Sequence, residues 1–271
     1  MREIQKRNFA SAIWKRRDLI MRLLFREIAG RYKGSMLGWA WSLVNPLLML
    51  AVYTFVFSQV FKATWGGTQE EGGAVFAINL FAGLIVFNMF GECMIRGPGL
   101  VIENANYVKK IIFPLEILSP VLVGTALFHG MTSLVVLVFM QIVTGSGVKM
   151  SILTLPLVWS PLVLGCLAAT WVLSALGVFI RDIGQFIGVG VNILLFTSAV
   201  FYPVDSLPTR LQPYAAMNPI IQVIDQTREI CISGNGPSIA YLILSSTFGL
   251  IMCELSFRFH QKARRGFADV L

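Results

Sequence analysis

Six stretches of this chain are apolar over roughly the length a helix needs to cross a bilayer, and that feature constrains the fold more than any other. They are Leu37–Phe61, Ala74–Ile95, Glu116–Val143, Ile152–Ile180, Phe186–Tyr202 and Ser238–Phe257, the fifth short and the third and fourth long. A helix of about 20 apolar residues covers the ~30 Å hydrocarbon layer, where only backbone that pairs its own N–H and C=O groups is tolerated. With 56% hydrophobic and 13% charged residues, the chain lies outside the range of soluble domains. The expected fold is an all-α integral membrane protein with six transmembrane helices. No internal repeat and no second, soluble domain is visible.

Basic residues sort to one side of these spans. Of the 22 Lys and Arg residues, all but Lys62, Lys149, Arg210 and Arg228 fall on the side that holds the N-terminus. Cytoplasmic loops carry the excess of Lys and Arg, so both termini are expected in the cytoplasm. That topology accounts for the net charge of +8, and nucleic acid is not an expected partner. The expected organisation is a cytoplasmic interface segment at 1–36, a membrane domain at 37–258 and a cytoplasmic tail at 259–271. No short apolar core with a small-residue cleavage site precedes the first span, so a removed signal peptide is not expected. Cys93, Cys166, Cys231 and Cys253 are scattered without metal-ligand or redox spacing.

Ahead of the first span, IWKRRDLIMRLLFREIAGRY reads as an amphipathic helix. Ile13, Ile20, Met21, Leu24, Phe25, Ile28 and Tyr32 recur at three- and four-residue steps, with Lys15, Arg16, Arg22 and Arg26 largely opposite. A basic helix of that kind lies in the inner headgroup plane, unless its arginines only mark the cytoplasmic side. On the other side, GGTQEEGG is a flexible polar loop and GSGVK a tight turn. Between the fifth and sixth spans, Pro203 to Pro237 contains NPIIQVIDQTREI, whose Ile220, Ile221, Val223, Ile224 and Ile230 form one helical face. This segment is expected to dip back into the outer leaflet as re-entrant helices.

An enzyme in the bilayer would gather acid, base, nucleophile or metal ligands at one depth, and the candidates here are sparse. His129 stands alone in the third span and His260 in the tail, so no multi-His metal site is expected, and His129 is read as a helix-to-helix hydrogen bond. Glu92, Glu116 and Glu254 sit near the cytoplasmic ends of spans, as interfacial anchors or salt-bridge partners of Arg96, Lys110 or Arg258. The inner loops ENANYVKKIIFP and FIRDIGQF, the second around Arg181 and Asp182, suit docking against a cytosolic partner, with a plain solvated connector as the alternative. Trp39 and Trp41 fit an interfacial belt. Tyr53, Phe57 and Phe61 recur every four residues on one face of the first span, and Phe196, Phe201 and Tyr202 close the fifth. Such rings either pack against lipid and neighbouring helices or stack on the CH faces of sugars. Pro46 removes one backbone hydrogen bond within the first span and allows a bend there.

The lead RYKGSMLGWAWSLVNPLLMLAVYTFVF resembles the start of the membrane subunit of ABC-2 type polysaccharide exporters. The likeness continues through NANYVKKIIFPLEILS, FIRDIGQF, YPVDSLPTRLQPYAAMNPIIQVIDQTREI and the closing FADVL, and covers nearly the whole chain. The resemblance implies the ABC-2, or type V exporter, fold and a homodimer paired with two copies of a cytosolic ABC ATPase, in the bacterial cytoplasmic membrane. This chain has no GxxxxGK[ST] phosphate loop, so ATP and Mg2+ would be held by that partner, with no cofactor here. Carried over by position, Tyr53, Phe57, Phe61, Phe201 and Tyr202 become channel-lining candidates. Asn106, Tyr107, Lys109, Lys110, Arg181 and Asp182 become contacts to the ATPase. Arg16, Arg17, Arg22 and Arg26 become candidates for meeting the pyrophosphate of an undecaprenyl carrier, since guanidinium offers paired donors to that anion.

The cargo the resemblance implies first is undecaprenyl-pyrophosphate-linked O-antigen polysaccharide. Capsular polysaccharide and teichoic acid are the alternatives within the same class, ahead of hydrophobic drugs. From a different class, a membrane enzyme acting on polyprenyl-linked glycans would need clustered carboxylates or histidines that the sequence does not present.

Overall fold

Backbone polar groups in hydrocarbon must pair within their own segment, and among the described residues all regular structure is helical. The computed structural model describes residues 8–60, 65, 73–108 and 113–270. Phe61, Lys109 and Lys110, three of the candidate site residues, lie outside them.

The chain begins with α1 (Phe9–Lys15) and α2 (Arg17–Tyr32), which meet at Arg16, where φ −118° and ψ 14° interrupt the helical path. The single amphipathic helix expected here is therefore two, and the break accompanies the turn of the Arg16 guanidinium onto Glu116. A 3-10 turn at Gly38–Ala40 leads into α3 (Trp41–Thr54), which ends in a π-helical turn, Phe55–Val60. Next come α4 (Gly73–Arg96), the one-turn α5 (Ala105–Val108), α6 (Leu118–Val143) and α7 (Leu155–Phe179). They are followed by α8 (Ile183–Thr197), α9 (Gln212–Met217), α10 (Pro219–Arg228), α11 (Ile239–Ala263) and α12 (Phe267–Val270).

Five of the six expected spans are helices long and apolar enough to cross a membrane: Gly38–Phe57, Gly73–Arg96, Leu115–Val143, Met150–Phe179 and Ile239–Gly266. The last continues well beyond Phe257, so the tail expected from residue 259 begins as part of the same helix. The fifth run differs more. Its helix, α8, starts three residues before Phe186, stops five before Tyr202 and rises about 22 Å over its 15 residues. Apolar character persists past Thr197, but Ala199 takes a left-handed backbone with φ 52°, and the chain turns there.

α4 is the central pillar, with α6, α7, α8 and α10 packed around it. Lipid tails are as apolar as leucine, so close van der Waals fit holds such helices together, and small residues permit the approach. At Gly177 a Cβ would fall 2.0 Å from the Pro98 carbonyl oxygen, so only glycine lets α7 meet that turn. α3 and α11 sit at the periphery. Leu47, Leu48, Met49, Val52 and Phe55 of the first span, and Ile243, Leu244, Phe248 and Ile251 of α11, are exposed.

α2 runs alongside the first half of α6. Ile20 and Leu23 pack on Ile117 and Val121, and Leu24 rests on Gly124. The apolar helix from Leu115 to Val143 has 29 residues, about 43 Å against a ~30 Å hydrocarbon layer, so its surplus turns provide that platform. The apolar set expected to face headgroups is thus divided: Ile20, Ile28 and Tyr32 are buried against protein, while Met21 and Phe25 stay exposed beside Trp14.

Candidate functional site

Four-residue spacing puts Tyr53 and Phe57 on one side of the first span, with ring centroids 6.4 Å apart. The turn after α8 brings Phe201 to the same place. Phe57 stacks on Phe201 at 5.9 Å and on Phe76 of α4 at 5.4 Å, and Phe201 stacks on Phe196 at 5.5 Å. Tyr202 is fixed beside them by donating its hydroxyl to the Phe196 carbonyl at 2.9 Å. These rings, from residues nearly 150 positions apart in the sequence, form one aromatic strip that runs from buried Phe76 through half-buried Tyr53, Phe57, Phe201 and Tyr202 to exposed Phe196. Trp65 extends it, its ring 5.5 Å from Phe76.

A buried arginine holds this strip in place. Arg228 donates from Nε to the Asn79 carbonyl at 3.1 Å, and from its two terminal nitrogens to the carbonyls of Ala199 at 3.0 Å and Val200 at 2.8 Å. Its guanidinium lies 4.5 Å from the Trp65 ring centroid and pairs with Asp225 at 3.4 Å. Gly83 makes room for it, since a Cβ there would sit 2.8 Å from an Arg228 nitrogen. By sequence, Arg228 is one of the four basic residues expected on the outer side. The signal that distinguishes it is its place among buried Ile220, Ile221, Val223 and Ile224, the apolar face expected for this segment.

At the end of the bundle that carries the N-terminal helices, three carboxylates organise the arginines. Glu116 is buried and accepts from Arg16 and, at 3.0 Å, from Arg264, whose other nitrogen donates to the Phe113 carbonyl at 2.8 Å. This clasp joins the N-terminal helices, the lead into α6 and the C-terminal turn. Glu92 accepts from Arg31 at 2.8 Å and Arg96 at 3.1 Å, and its second oxygen lies 2.7 Å from His129 Nδ1. His129 thus makes the helix-to-helix bond expected of it. Glu254 pairs with Arg258 at 2.7 Å, also as expected. Among the described residues, the arginines that Glu116 accepts from come from far along the chain; Lys110, its expected local partner, lies outside the described residues.

The four arginines proposed to meet a carrier pyrophosphate are not equivalent. Arg16 is held by Glu116, and Arg26 donates to the Tyr107 hydroxyl at 2.8 Å. Arg17 is exposed, 4.9 Å from the Trp14 ring centroid, and Arg22 is also exposed. Of the residues expected to meet an ATPase, Asn106, Arg181 and Asp182 are exposed, and Tyr107 stacks on Phe113 with centroids 4.2 Å apart.

A family model described as ABC-2 type transporter matches residues 18–232. The O-antigen export system permease protein RfbA of Klebsiella pneumoniae is 26% identical over 94% of this chain and 95% of its own length. The polysialic acid transport protein KpsM of Escherichia coli is 24% identical over 89% of this chain and 93% of its own. The capsule polysaccharide export inner-membrane protein CtrC of Neisseria meningitidis is 24% identical over 84% of each.

Proposed function

Because the chain belongs to the ABC-2 type transporter family, we propose that it is the permease subunit of an ATP-driven polysaccharide exporter in the bacterial cytoplasmic membrane. Two copies, each crossing six times with α8 as the fifth crossing, pair with two copies of a cytosolic ABC ATPase that binds ATP and Mg2+. The cargo is an undecaprenyl-pyrophosphate-linked glycan, O-antigen in the first instance. What supports that choice over capsule is coverage, since the O-antigen permease relative aligns over more of both chains than the capsule-type relatives do.

The observation that carries the reading is the aromatic strip. Tyr53, Phe57, Phe201 and Tyr202 come from the first span and the turn after α8, and α3 and α8 both present largely exposed outer faces. Facing the same strip of a second copy, they would line a passage whose ring faces contact sugar CH groups without demanding any one sugar. On the cytoplasmic side, exposed Arg17 and Arg22 would meet the carrier pyrophosphate at the entrance. A push on the segment around Asn106 and Tyr107 would travel through the Arg26–Tyr107 bond to α2, and through Phe113 and Arg264 to the clasp at Glu116.

The test is the composition of the particle purified through a tag on this chain in mild detergent. The expected native mass corresponds to two copies of this chain with two copies of an ATP-hydrolysing subunit. Isolation of a lone chain, with no ATPase activity in any condition that preserves its helicity, would remove the reading.

A further inference from the structure

Beside Pro46 a cavity of about 410 Å3 opens between the end of α2, the start of α3 and the middle of α6. That volume suits one small polar group rather than a length of polymer. Beside the donors of Arg31, Trp41 and Asn45, its wall carries a group of acceptors. The hydroxyls of Thr132 and Ser133 both donate to the His129 carbonyl at 2.9 Å, and the Ser42 hydroxyl donates to the Trp39 carbonyl at 2.8 Å. With their single hydrogens committed, these three wall residues offer only lone pairs. Pro46 has no N–H, so the Ser42 carbonyl four residues earlier lacks the donor an α-helix would supply.

Charge narrows the guest further. Arg31 and Arg96 are matched by Glu92 and Glu27, leaving no surplus positive charge for a lone anion. Arg31 still has N–H groups beyond the one donated to Glu92. The fitting guest is therefore zwitterionic, with positively charged N–H donors for the acceptor wall and a phosphate for Arg31. The cavity lies at the level of the Arg31–Glu92–Arg96 network, near the cytoplasmic end of α4, and the start of the first span beside it is exposed at Asn45, about two turns from the Tyr53–Phe57 strip proposed to face the second copy. A leaflet lipid reaches it from the side.

We propose that this cavity binds the headgroup of an ethanolamine phospholipid of the cytoplasmic leaflet, its primary ammonium hydrogen-bonded by Ser42, Thr132 and Ser133 and its phosphate by Arg31. A lipid wedged there braces the proline-containing start of the first span against α6. The site is separate from the cargo path and does not depend on which glycan is carried.

The discriminating probe is phosphatidylcholine, which carries the same charge and phosphate but no N–H on its trimethylammonium. The intact complex is equilibrated in nanodiscs holding equal amounts of phosphatidylethanolamine, phosphatidylcholine and phosphatidylglycerol with identical acyl chains, then released and its bound lipids are counted by native mass spectrometry. Phosphatidylethanolamine should be retained over phosphatidylcholine by about tenfold. Thr132→Val with Ser133→Ala should bring that ratio to about twofold or below, because it removes two acceptors whose hydroxyls otherwise bond back to their own helix at His129. Counting intact complexes alone keeps misfolded protein out of the ratio. Equal retention of the two, a preference that survives the double substitution, or best retention of anionic phosphatidylglycerol would each overturn the proposal.

Discussion

Arg228→Met is expected to lower the melting temperature of the purified protein by roughly 5–10 °C, through a loss of about 3–4 kcal/mol. Methionine preserves the length and the apolar stem but supplies no N–H. The Ala199 and Val200 carbonyls lie in a turn outside any helix and would lose the donors at 3.0 Å and 2.8 Å. Each buried acceptor left without a partner costs about 1–3 kcal/mol. The same donors hold Ala199 in its left-handed conformation, which a residue with a Cβ adopts only when its surroundings insist. Arg228→Lys keeps the charge but, with a single nitrogen, reaches fewer of the carbonyls, so it should fall between. Differential scanning fluorimetry in detergent reads the series. A methionine variant that melts with the parent would mean that the turn finds other donors, and that Arg228 does not hold the strip.

The second large effect concerns transport. Tyr53→Leu with Phe57→Leu should reduce export about tenfold or more while leaving assembly intact, whereas Tyr53→Phe with Phe57→Tyr should export normally. Leucine preserves apolar packing against Phe76 and Phe201 but removes the flat faces on which, in the proposed passage, sugar CH groups would slide. An aromatic contact is worth about 0.5–1.5 kcal/mol beyond its area, so two lost along the path raise the barrier by about 1–3 kcal/mol. That range brackets a tenfold change in rate. Pulse labelling of polymer arriving at the cell surface, normalised to the amount of complex in the membrane, gives the ratio. Normal export by the double leucine variant would return both rings to ordinary packing.

Much of the architecture is legible in the sequence because hydrophobic transfer acts locally. The spans at Ala74–Ile95, Glu116–Val143 and Ile152–Ile180 match helices to within a residue or two at each end. The buried face of α10 can be read from its isoleucine spacing, and the Glu92–Arg96 and Glu254–Arg258 pairs from their one-turn separation. Other features are set by tertiary partners that no local pattern names. Glu116 finds Arg16 and Arg264 only because α2 and α11 meet at the start of α6, and the break at Arg16 belongs to that clasp. α8 ends at Thr197 although the apolar run continues, because Arg228 and Asn218, which donates to the Ser198 hydroxyl at 3.2 Å, stabilise a turn there. Within the candidate site, the four-residue step from Tyr53 to Phe57 is visible in sequence. Its union with Phe201, and the roles of Trp65 and Arg228, emerge only from the fold.

The central claim is that this chain moves a finished glycan rather than making one, and the location of polymer after deletion of its gene tests that most directly. Spheroplasts of the deletion strain, probed for carrier-linked polymer on each face of the cytoplasmic membrane, should hold full-length chains on the inner face and none outside, with synthesis continuing. Restoring the gene should clear them. A deletion strain in which no polymer forms at all, or in which it still reaches the outer face at the parental rate, would contradict the account.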